Sequence, residues 1–460
     1  MFDNIRLMKL APVFQAVVVG AGVWFAMAAH AKPDALDSMF DSDGAVWKLD
    51  AGQFMAEHEA DGFRWMTATS HDAARAANGG LTFLGLRVWE VVVRFETNQP
   101  KQFTFSLYNR GDAGDMDEAA FGKFLLNIDT LFTKWTGDKG TAFRTQERTA
   151  ASSIRRKAWV KALYRADLVW GFSEKSRQQG ISAPRPEFVR LEITPFEARR
   201  DPRKQVIADT GTAAKQATAF DLRTRVQRRP NGDVVIPTVP MVDQGQKGYC
   251  AAAVSERLLR YYGRNVDEHE IAQLANTSAD GGTSQSSMVA ALRRIGDEQK
   301  MELTIFQENN LQEFERLLKD YNRFAKRAGK PNAEMMGNQV GNTRTIDPMA
   351  TYKSMDPALL KEARLKRDTG MQEFKNAVMK SINAGAPLSW SVILGIVKEP
   401  ATPQAFGGHM RLIIGYNTRT GDILYTDTWG AGHELKQLPL ADAWTITTGL
   451  YCLHLRDVRF

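Results

Sequence analysis

The sequence predicts an α+β protein in which an apolar N-terminal segment precedes two globular units. Its 460 residues are 43% hydrophobic and 25% charged, the composition of an ordinary globular chain with room for two cores. Apolar residues alternate with polar ones in some stretches, as in strands, and recur at spacings of three and four in others, as in helices. We predict a small α+β domain at residues 40–196, a basic linker at 197–229 and a second domain at 230–460.

Residues 1–31 have the organisation of a signal peptide. Arg6 and Lys9 precede an apolar run over residues 10–29, and the sequence Ala-His-Ala ending at Ala31 presents the small residues that a signal peptidase reads. Cleavage there predicts an exported protein, periplasmic or secreted. The alternative is a retained anchor, because the run is about as long as a bilayer-spanning helix. Either way, membrane contact is expected only through this segment.

The first unit is predicted to be a small antiparallel sheet with one or two helices packed on it. Strand patterns occupy residues 81–88, 90–96, 102–108, 157–172 as a hairpin, and 188–194, where apolar and charged residues alternate. A short helix is expected after a cap at Asp50, and an aromatic stripe at residues 121–135 predicts a longer helix ended by Gly137. His58 and His71 lack metal-ligand neighbours, so we interpret this unit as a recognition or scaffolding domain.

The charge balance argues against nucleic-acid binding. The chain has 60 Lys and Arg against 53 Asp and Glu, and the two signs are interspersed. The basic stretch at residues 197–229 is predicted to be a linker, and the alternative is a surface that contacts anionic envelope polymers. Two cysteines, Cys250 and Cys452, are too few for a disulfide framework, although a single bridge between them is an alternative.

The stretch 242–254 predicts a thiol on the first turn of a helix. Gly245 and Gly248 supply a permissive loop, and the alanines after Cys250 favour a helix. Unpaired N–H groups and aligned peptide dipoles at a helix N-terminus favour an anion and lower the pKa of a thiol. Gln244 lies six residues earlier, so its side-chain amide and the backbone N–H of Cys250 are expected to form an oxyanion hole.

The rest of the second unit is predicted to be a helical lobe followed by strands. Helix patterns occupy residues 250–262, 267–275, 284–295, 311–325 and 357–382, and a buried strand follows at 387–394. Gly263 and Gly296 are expected to end the first and third of these helices. His269 lacks the second histidine of a zinc motif. The polar segment 334–355 is either a cleft wall or a mobile surface insertion.

Two late strands bring a histidine and an aspartate together. Residues 409–416 and 422–425 have strand patterns joined by a polar connection. A hairpin of this size places the start of the first strand near the end of the second. His409 and Asp427, which are 18 positions apart, are therefore expected to be neighbours.

Four side chains in this order resemble the catalytic residues of papain-fold cysteine peptidases. They are Gln244, Cys250 at the head of a helix, His409 at the start of a strand, and Asp427 in the sequence Asp-Thr-Trp-Gly. More closely, the arrangement resembles the peptidase family that removes double-glycine leaders from bacteriocins, together with its free-standing bacterial relatives. The resemblance covers residues 237–455 and implies a papain-like domain with a helical lobe and an antiparallel sheet.

The resemblance also implies a role for each position. Cys250 is the nucleophile, His409 the general base and acid, and Asp427 the group that orients the imidazole. Gln244 is the oxyanion donor, and Trp429 is the aromatic residue that shields the histidine and aspartate. Leader-processing members are fused to an ATP-driven exporter, whereas this sequence has no Gly-rich phosphate-binding loop, which argues against leader processing.

The sequence therefore predicts an exported cysteine-type peptidase that hydrolyses a peptide or isopeptide bond in a peptide or protein substrate. The mechanism requires neither a metal nor an organic cofactor. Acyl transfer through the same thioester is one alternative, and a catalytically silent peptide-binding module is another. No oligomeric state is predicted.

We expect the mature protein to begin at Lys32, because a signal peptidase reads the small residues that end at Ala31. N-terminal sequencing and intact mass of the protein recovered from the cell envelope check this. A protein that retains residues 1–31 would favour the anchor instead.

Overall fold

Two packed units, each built on an antiparallel sheet, make up the described part of the chain. The computed structural model describes residues 35–40, 43–77, 79–143, 147–148, 152–173, 184–196, 217–245, 249–264, 271, 285–308, 310–340, 343–366, 368–399, 402–458 and 460. Within these residues, no helix combines the length and apolarity that a membrane crossing needs.

The first unit is a nine-stranded sheet with helices on one face. Its strands are β1 Arg64–Trp65, β2 Ala73–Ala76, β3 Thr82–Phe83, β4 Leu86–Arg87, β5 Glu90–Glu96, β6 Gln99–Asn109, β7 Thr141–Ala142, β8 Glu147–Arg148, β9 Ser152–Lys161, β10 Tyr164–Ser173 and β11 Arg185–Pro195. Its helices are α1 Ala35–Ser38, α2 Ala51–His58, α3 Arg110–Ala113 and α4 Glu118–Thr136. The sheet order is β1-β2-β5-β6-β11-β10-β9-β7, with β8 paired to β9 and β3–β4 forming a separate hairpin.

An aromatic core holds the helices to this sheet. Rings of Phe40, Phe83, Phe103 and Phe105 meet with centroids 5.0–6.5 Å apart, a spacing at which aromatic pairs stabilise each other beyond the burial of their area. The α4 stripe joins them through Phe132, whose centroid is 6.1 Å from that of Phe83. The stripe predicted from the sequence is therefore confirmed as core.

Most elements predicted in the first unit are confirmed. The Asp50 side chain accepts a hydrogen bond from the Gln53 backbone at the start of α2, and Gly137 ends α4 with φ 72°. The predicted strand at 81–88 is wrong: Leu84 and Gly85 have φ of 51° and 75°, so the segment folds back as the β3–β4 hairpin. The sheet is also larger than predicted.

The second unit is an eight-stranded sheet packed against helices. Its strands are β12 Gln227–Arg228, β13 Asp233–Val235, β14 Met301–Glu308, β17 Leu388–Leu394, β18 Gly407–Asn417, β19 Ile423–Thr426, β20 Lys436–Leu438 and β21 Thr447–Leu455, and a separate hairpin joins β15 Gly337–Val340 to β16 Thr343–Ile346. Its helices are α5 Ala219–Thr224, α6 Cys250–Tyr261, α7 Gln285–Gln299, α8 Leu311–Arg327, α9 Pro348–Lys353, α10 Pro357–Leu365, α11 Asp368–Asn383 and α12 Leu440–Ile446. The sheet order is β12-β13-β18-β17-β21-β14, and β19 joins β18 to β20.

The helix that begins at Cys250 is confirmed, and Gly263 follows it with φ 74°. Nearly every side chain of α6 is buried, because the core of the second unit covers one side of the helix and the first unit covers another. Gly296 does not end α7, which continues to Gln299. A Cβ at Gly296 would lie 3.4 Å from the Met301 carbonyl oxygen, so this glycine lets β14 pass close to the helix.

Other segments also differ from the prediction. Residues 334–355 contain the β15–β16 hairpin and α9, and the helix expected at 357–382 is two helices, α10 and α11. Residues 217–229, inside the predicted linker, contain α5 and β12, and β12 joins the second sheet. The helix predicted at 267–275 lies outside the described residues, apart from Ile271.

We expect Gly385→Ala to destabilise the protein more than Gly421→Ala. Both glycines have left-handed backbones, with φ of 77° and 76°, but a Cβ at Gly385 would lie 2.2 Å from the Leu222 carbonyl oxygen, whereas one at Gly421 meets nothing within 4 Å. Gly421→Ala should cost about 1 kcal/mol of unfolding free energy for the left-handed conformation alone. Gly385→Ala should cost roughly 3 kcal/mol or more, because backbone must also move. Urea unfolding measures both, and equal losses would contradict the close packing of α5 on this turn.

Candidate active site

Cys250 is the first residue of α6, and its side chain is partly exposed. Cys452 is fully buried on β21, and its thiol lies 3.8 Å from the Pro387 carbonyl oxygen. Both cysteines are free thiols, so the alternative prediction of a disulfide bridge between them is wrong. Burial raises the pKa of Cys452 far above the ordinary value, which leaves it an inert core residue. Only Cys250 is placed to meet a substrate.

The β18–β19 hairpin brings His409 and Asp427 together, as the sequence predicts. Leu412 pairs with Thr426 across the hairpin, so the start of β18 lies beside the residue that follows β19. The His409 Nε2 atom is 3.0 Å from Asp427 Oδ1, and both side chains are fully buried. The ring is therefore held through Nε2, and Nδ1 is its remaining nitrogen.

The Cys250 thiol and the His409 imidazole shift each other's protonation. Burial by itself raises the pKa of the thiol, but the hydrogen bond and charge of His409 lower it by more, so the net shift is downward. Burial lowers the pKa of His409, but its hydrogen bonds with Asp427 and Cys250 outweigh this and raise it. These opposite shifts move the pair toward a thiolate and an imidazolium.

The thiol and the imidazole influence each other without a well-formed hydrogen bond between them. Nδ1 of His409 is buried and has no hydrogen-bond partner among the described residues. The mutual pKa shifts indicate that this ring nevertheless lies near Cys250. Such contacts are often poorly aligned in a resting site and tighten when substrate binds.

The Asp427 carboxylate is the centre of a buried ionic cluster. Besides His409, it pairs with Arg411 Nε at 3.2 Å and Lys436 Nζ at 3.3 Å. Burial by itself raises the pKa of this carboxyl, but the charge of Arg411 and the hydrogen bond from His409 hold it well below its usual range. A depressed folded-state pKa adds stability at neutral pH that is lost as the pH falls through the acid range.

Arg411 and its partners were not predicted from the sequence. The guanidinium is fully buried, pairs with Glu399 at 2.5 Å and lies 4.5 Å from the Tyr425 ring centroid. The Tyr425 hydroxyl donates to the same Glu399 carboxylate at 2.6 Å. The sequence held one indication of Arg411. It is two residues after His409, so both side chains point to the same face of β18. Glu399 lies in a loop and had no signal.

Trp429 covers the imidazole. Its ring is stacked on that of His409, with centroids 4.2 Å apart and planes 8° from parallel. The His433 ring meets the same tryptophan edge-on, at 5.4 Å. This cover excludes water from one face of the imidazole and strengthens its bond to Asp427.

Gln244 lies beside the loop that follows Asp427. Its backbone N–H donates to the Thr428 carbonyl oxygen at 2.9 Å, and the Thr428 hydroxyl donates to Gln244 Oε1 at 2.5 Å. The threonine fixes the oxygen end of the amide, so Nε2 is the end that points away from Thr428. The side chain is 7% exposed, which is unusual for a glutamine without a defined role.

One arginine on α6 joins these segments. Arg257 donates to the Pro240 carbonyl oxygen at 2.7 Å, to the Asp427 carbonyl oxygen at 2.6 Å and to the Thr426 hydroxyl at 2.8 Å. Burial lowers its pKa to about 10, and the charge of Asp427 opposes this shift. Helix α6 is thereby tied both to the loop before Gln244 and to the residues around Asp427.

Residues 236–451 match the model of the Peptidase_C39 like family. The matched span contains the thiol, the imidazole and the carboxylate described above. No curated protein sequence matches the chain. The family match and the α+β architecture together support a cysteine peptidase-type domain of papain-like fold.

We expect Cys250 to react with iodoacetamide at neutral pH and to lose reactivity only when the pH falls through its lowered pKa. In His409→Ala the lowering effect of the imidazole is gone while the burial remains, so the pH midpoint of alkylation should move upward. Mass spectrometry of the alkylated peptide gives the rates. The buried Cys452 should not be alkylated and serves as an internal negative control.

The matched control is His433→Ala, which removes the imidazole that meets Trp429 edge-on. It should leave the alkylation profile unchanged. A profile insensitive to His409→Ala would contradict the pairing of thiol and imidazole.

Proposed function

We propose that this cysteine peptidase-type domain hydrolyses a peptide or isopeptide bond and that the protein works outside the cytoplasm. Cys250 is the nucleophile, His409 the general base and acid, Asp427 the orienting carboxylate and Gln244 the oxyanion donor. The observation that carries the proposal is a buried histidine–aspartate pair, with His409 Nε2 3.0 Å from Asp427 Oδ1, whose imidazole lowers the pKa of the partly exposed Cys250 at the head of α6. An ionic cluster with a purely structural role would not need a partly exposed cysteine beside it.

The first half of the reaction forms a thioester. The Cys250 thiol gives its proton to His409, and the thiolate attacks the carbonyl carbon of the substrate. The carbonyl electron pair moves onto oxygen, where the Cys250 backbone N–H and the Gln244 Nε2 group donate hydrogen bonds. As the carbon–nitrogen bond breaks, the imidazolium donates its proton to the leaving amine.

The second half regenerates the thiol. His409 takes a proton from water, and the hydroxide adds to the thioester carbon. As the carbon–sulfur bond breaks and the acid product leaves, the imidazolium returns its proton to the sulfur. Asp427 keeps its charge throughout, because Arg411 and His409 hold its pKa low. Its role is to fix the proton on Nε2 and to stabilise the imidazolium.

The substrate class follows from the chemistry and from the family description. A thiolate with an oxyanion hole attacks acyl carbons, and a peptidase-like family supports an amide as the acyl donor. Export rests on the predicted signal segment at residues 1–31, and envelope proteins or peptides are therefore the proposed substrates.

We expect Gln244→Ala to lower the acylation rate of Cys250 by p-nitrophenyl acetate about a hundredfold or more, because one oxyanion donor is lost. Cys250→Ala should abolish acylation. The matched control is Gln285→Ala, another glutamine held by side-chain hydrogen bonds, to Tyr451 and Thr448, and it should keep the wild-type rate. Stopped-flow absorbance gives each rate, and an equal loss in both glutamine variants would contradict the oxyanion role.

Incubation of wild-type and Cys250→Ala protein with the host's envelope proteins, followed by mapping of new chain termini, identifies the substrate. Release of the trapped acyl group by water supports hydrolysis, whereas release only by an added amine would indicate acyl transfer. A thiol that is never acylated would indicate a silent binding module.

A further inference from the structure

The face of the first sheet opposite its helices is covered by the segment that carries Gln244 and Cys250. Resting on the proposed function, we propose that the first unit is a positioning domain, which holds the residue immediately before each of these two catalytic residues. Tyr249 precedes Cys250, and Asp243 precedes Gln244. Both are bonded to side chains of the first unit.

The anchor before the nucleophile is a buried hydrogen bond. The Tyr249 hydroxyl donates to Asn109 Oδ1 at 2.7 Å, and the two residues are 3% and 1% exposed. Asn109 ends β6, and Gly111 two residues later lies against the tyrosine ring. A Cβ at Gly111 would be 2.4 Å from the Tyr249 oxygen, so the first unit closes on this side chain with no room for a larger residue.

The anchor before the oxyanion donor is an ion pair. Arg75 on β2 pairs with Asp243 at 3.2 Å and with Glu90 of its own sheet at 2.6 Å. Asp243 Oδ1 accepts a hydrogen bond from the Gly245 backbone at 2.9 Å, so the same carboxylate fixes the turn on both sides of Gln244. Arg75 Nη2 would be 2.8 Å from a Cβ at Gly245, which shows how closely it approaches the turn.

Further contacts between the units lie on either side of these anchors. Met241 packs with Met66 and Ala73 of the first unit. On α6, Glu256 is buried with its oxygen 3.9 Å from Arg94 of β5. The contacts thus run from the loop before Gln244 to the helix that begins at Cys250. One further bond, from the Ala68 backbone N–H to the Glu434 carboxylate, joins the units outside this segment.

Positioning of this kind has a measurable consequence. A displacement of about 1 Å between reacting groups costs about a hundredfold in rate, and one buried hydrogen bond contributes about 1 kcal/mol to holding them. Partial release of either anchor is therefore expected to slow the step that uses the residue it holds. Cys250 attacks either reagent, whereas Gln244 acts only where an oxyanion forms. Loss of each anchor should therefore change a different set of reaction rates.

We expect Tyr249→Phe, which removes only the hydroxyl, to slow Cys250 by about fivefold with both iodoacetamide and p-nitrophenyl acetate. The pH midpoint of alkylation should also rise, because the thiol moves relative to His409. The matched control is Tyr261→Phe on the same helix, whose hydroxyl donates to the Gly385 carbonyl oxygen at 2.7 Å inside the second unit. It should change stability and leave both rates unchanged.

Asp243→Asn keeps the acceptor for Gly245 and removes the charge that attracts Arg75. Alkylation by iodoacetamide forms no oxyanion, so its rate should stay at the wild-type value. Acylation by p-nitrophenyl acetate passes through an oxyanion, so its rate should fall about fivefold or more.

The outcomes separate this inference from the proposed function. If wild-type Cys250 is alkylated at neutral pH and is acylated, but Tyr249→Phe and Asp243→Asn match wild type in all rates, the positioning role is wrong and the enzymatic proposal stands. Equal slowing in Tyr249→Phe and Tyr261→Phe would also overturn it, because a general loss of stability would then explain both. A wild-type thiol that shows neither reaction would contradict the proposed function itself.

Discussion

The buried carboxylate of Asp427 is the constraint on which the site depends. A carboxylate without water is stable only when cations and hydrogen bonds surround it, and here Arg411, Lys436 and His409 do so. These come from β18 and from the start of β20, so the charge fixes the register of the hairpin as firmly as its apolar residues do. Removing one cation would leave an uncompensated charge in the core.

The ionic cluster also explains how the thiol and imidazole can ionise at little cost. With Glu399 included, the fixed charges are two carboxylates and two permanent cations. Proton transfer from Cys250 to His409 adds one negative and one positive charge, so the net charge of the cluster does not change. The surrounding dipoles and charges are already oriented, which is the condition under which electrostatic stabilisation is most effective.

The first sheet has two faces of different chemistry, and this difference organises the molecule. One face carries the aromatic core under α4, whereas the other carries charged residues such as Arg75, Glu90 and Arg190 against the second unit. Arg190 alternates with apolar residues along β11, a pattern that ordinarily indicates a solvated face. It is only 5% exposed because Val242, Asp243 and helix α6 of the second unit lie against it. The family match begins at Ile236, so the first unit lies outside it.

Local sequence determined the elements that have a strong hydrophobic period or a clear cap or glycine at their ends. It also determined the order of the reactive groups along the chain. The helix at Cys250, the hairpin at 409–427 and the α4 stripe follow from residue spacing, caps and glycines, which act over a few positions. The segment at 81–88 was mispredicted because a positive φ at Leu84 leaves no mark in composition. β14 and β21 escaped prediction because their pairing joins residues about 150 positions apart.

Only the tertiary structure decided which distant groups share the site. The spacing of His409 and Asp427 indicated one contact, but nothing local tied Glu399 to Arg411, Asn109 to Tyr249 or Arg75 to Asp243. Such partners are chosen by the packing of whole sheets, since a buried charge or hydroxyl is satisfied by whichever group the fold brings within about 3 Å. Sequence thus determined the chemistry available to this protein, and packing determined its neighbours.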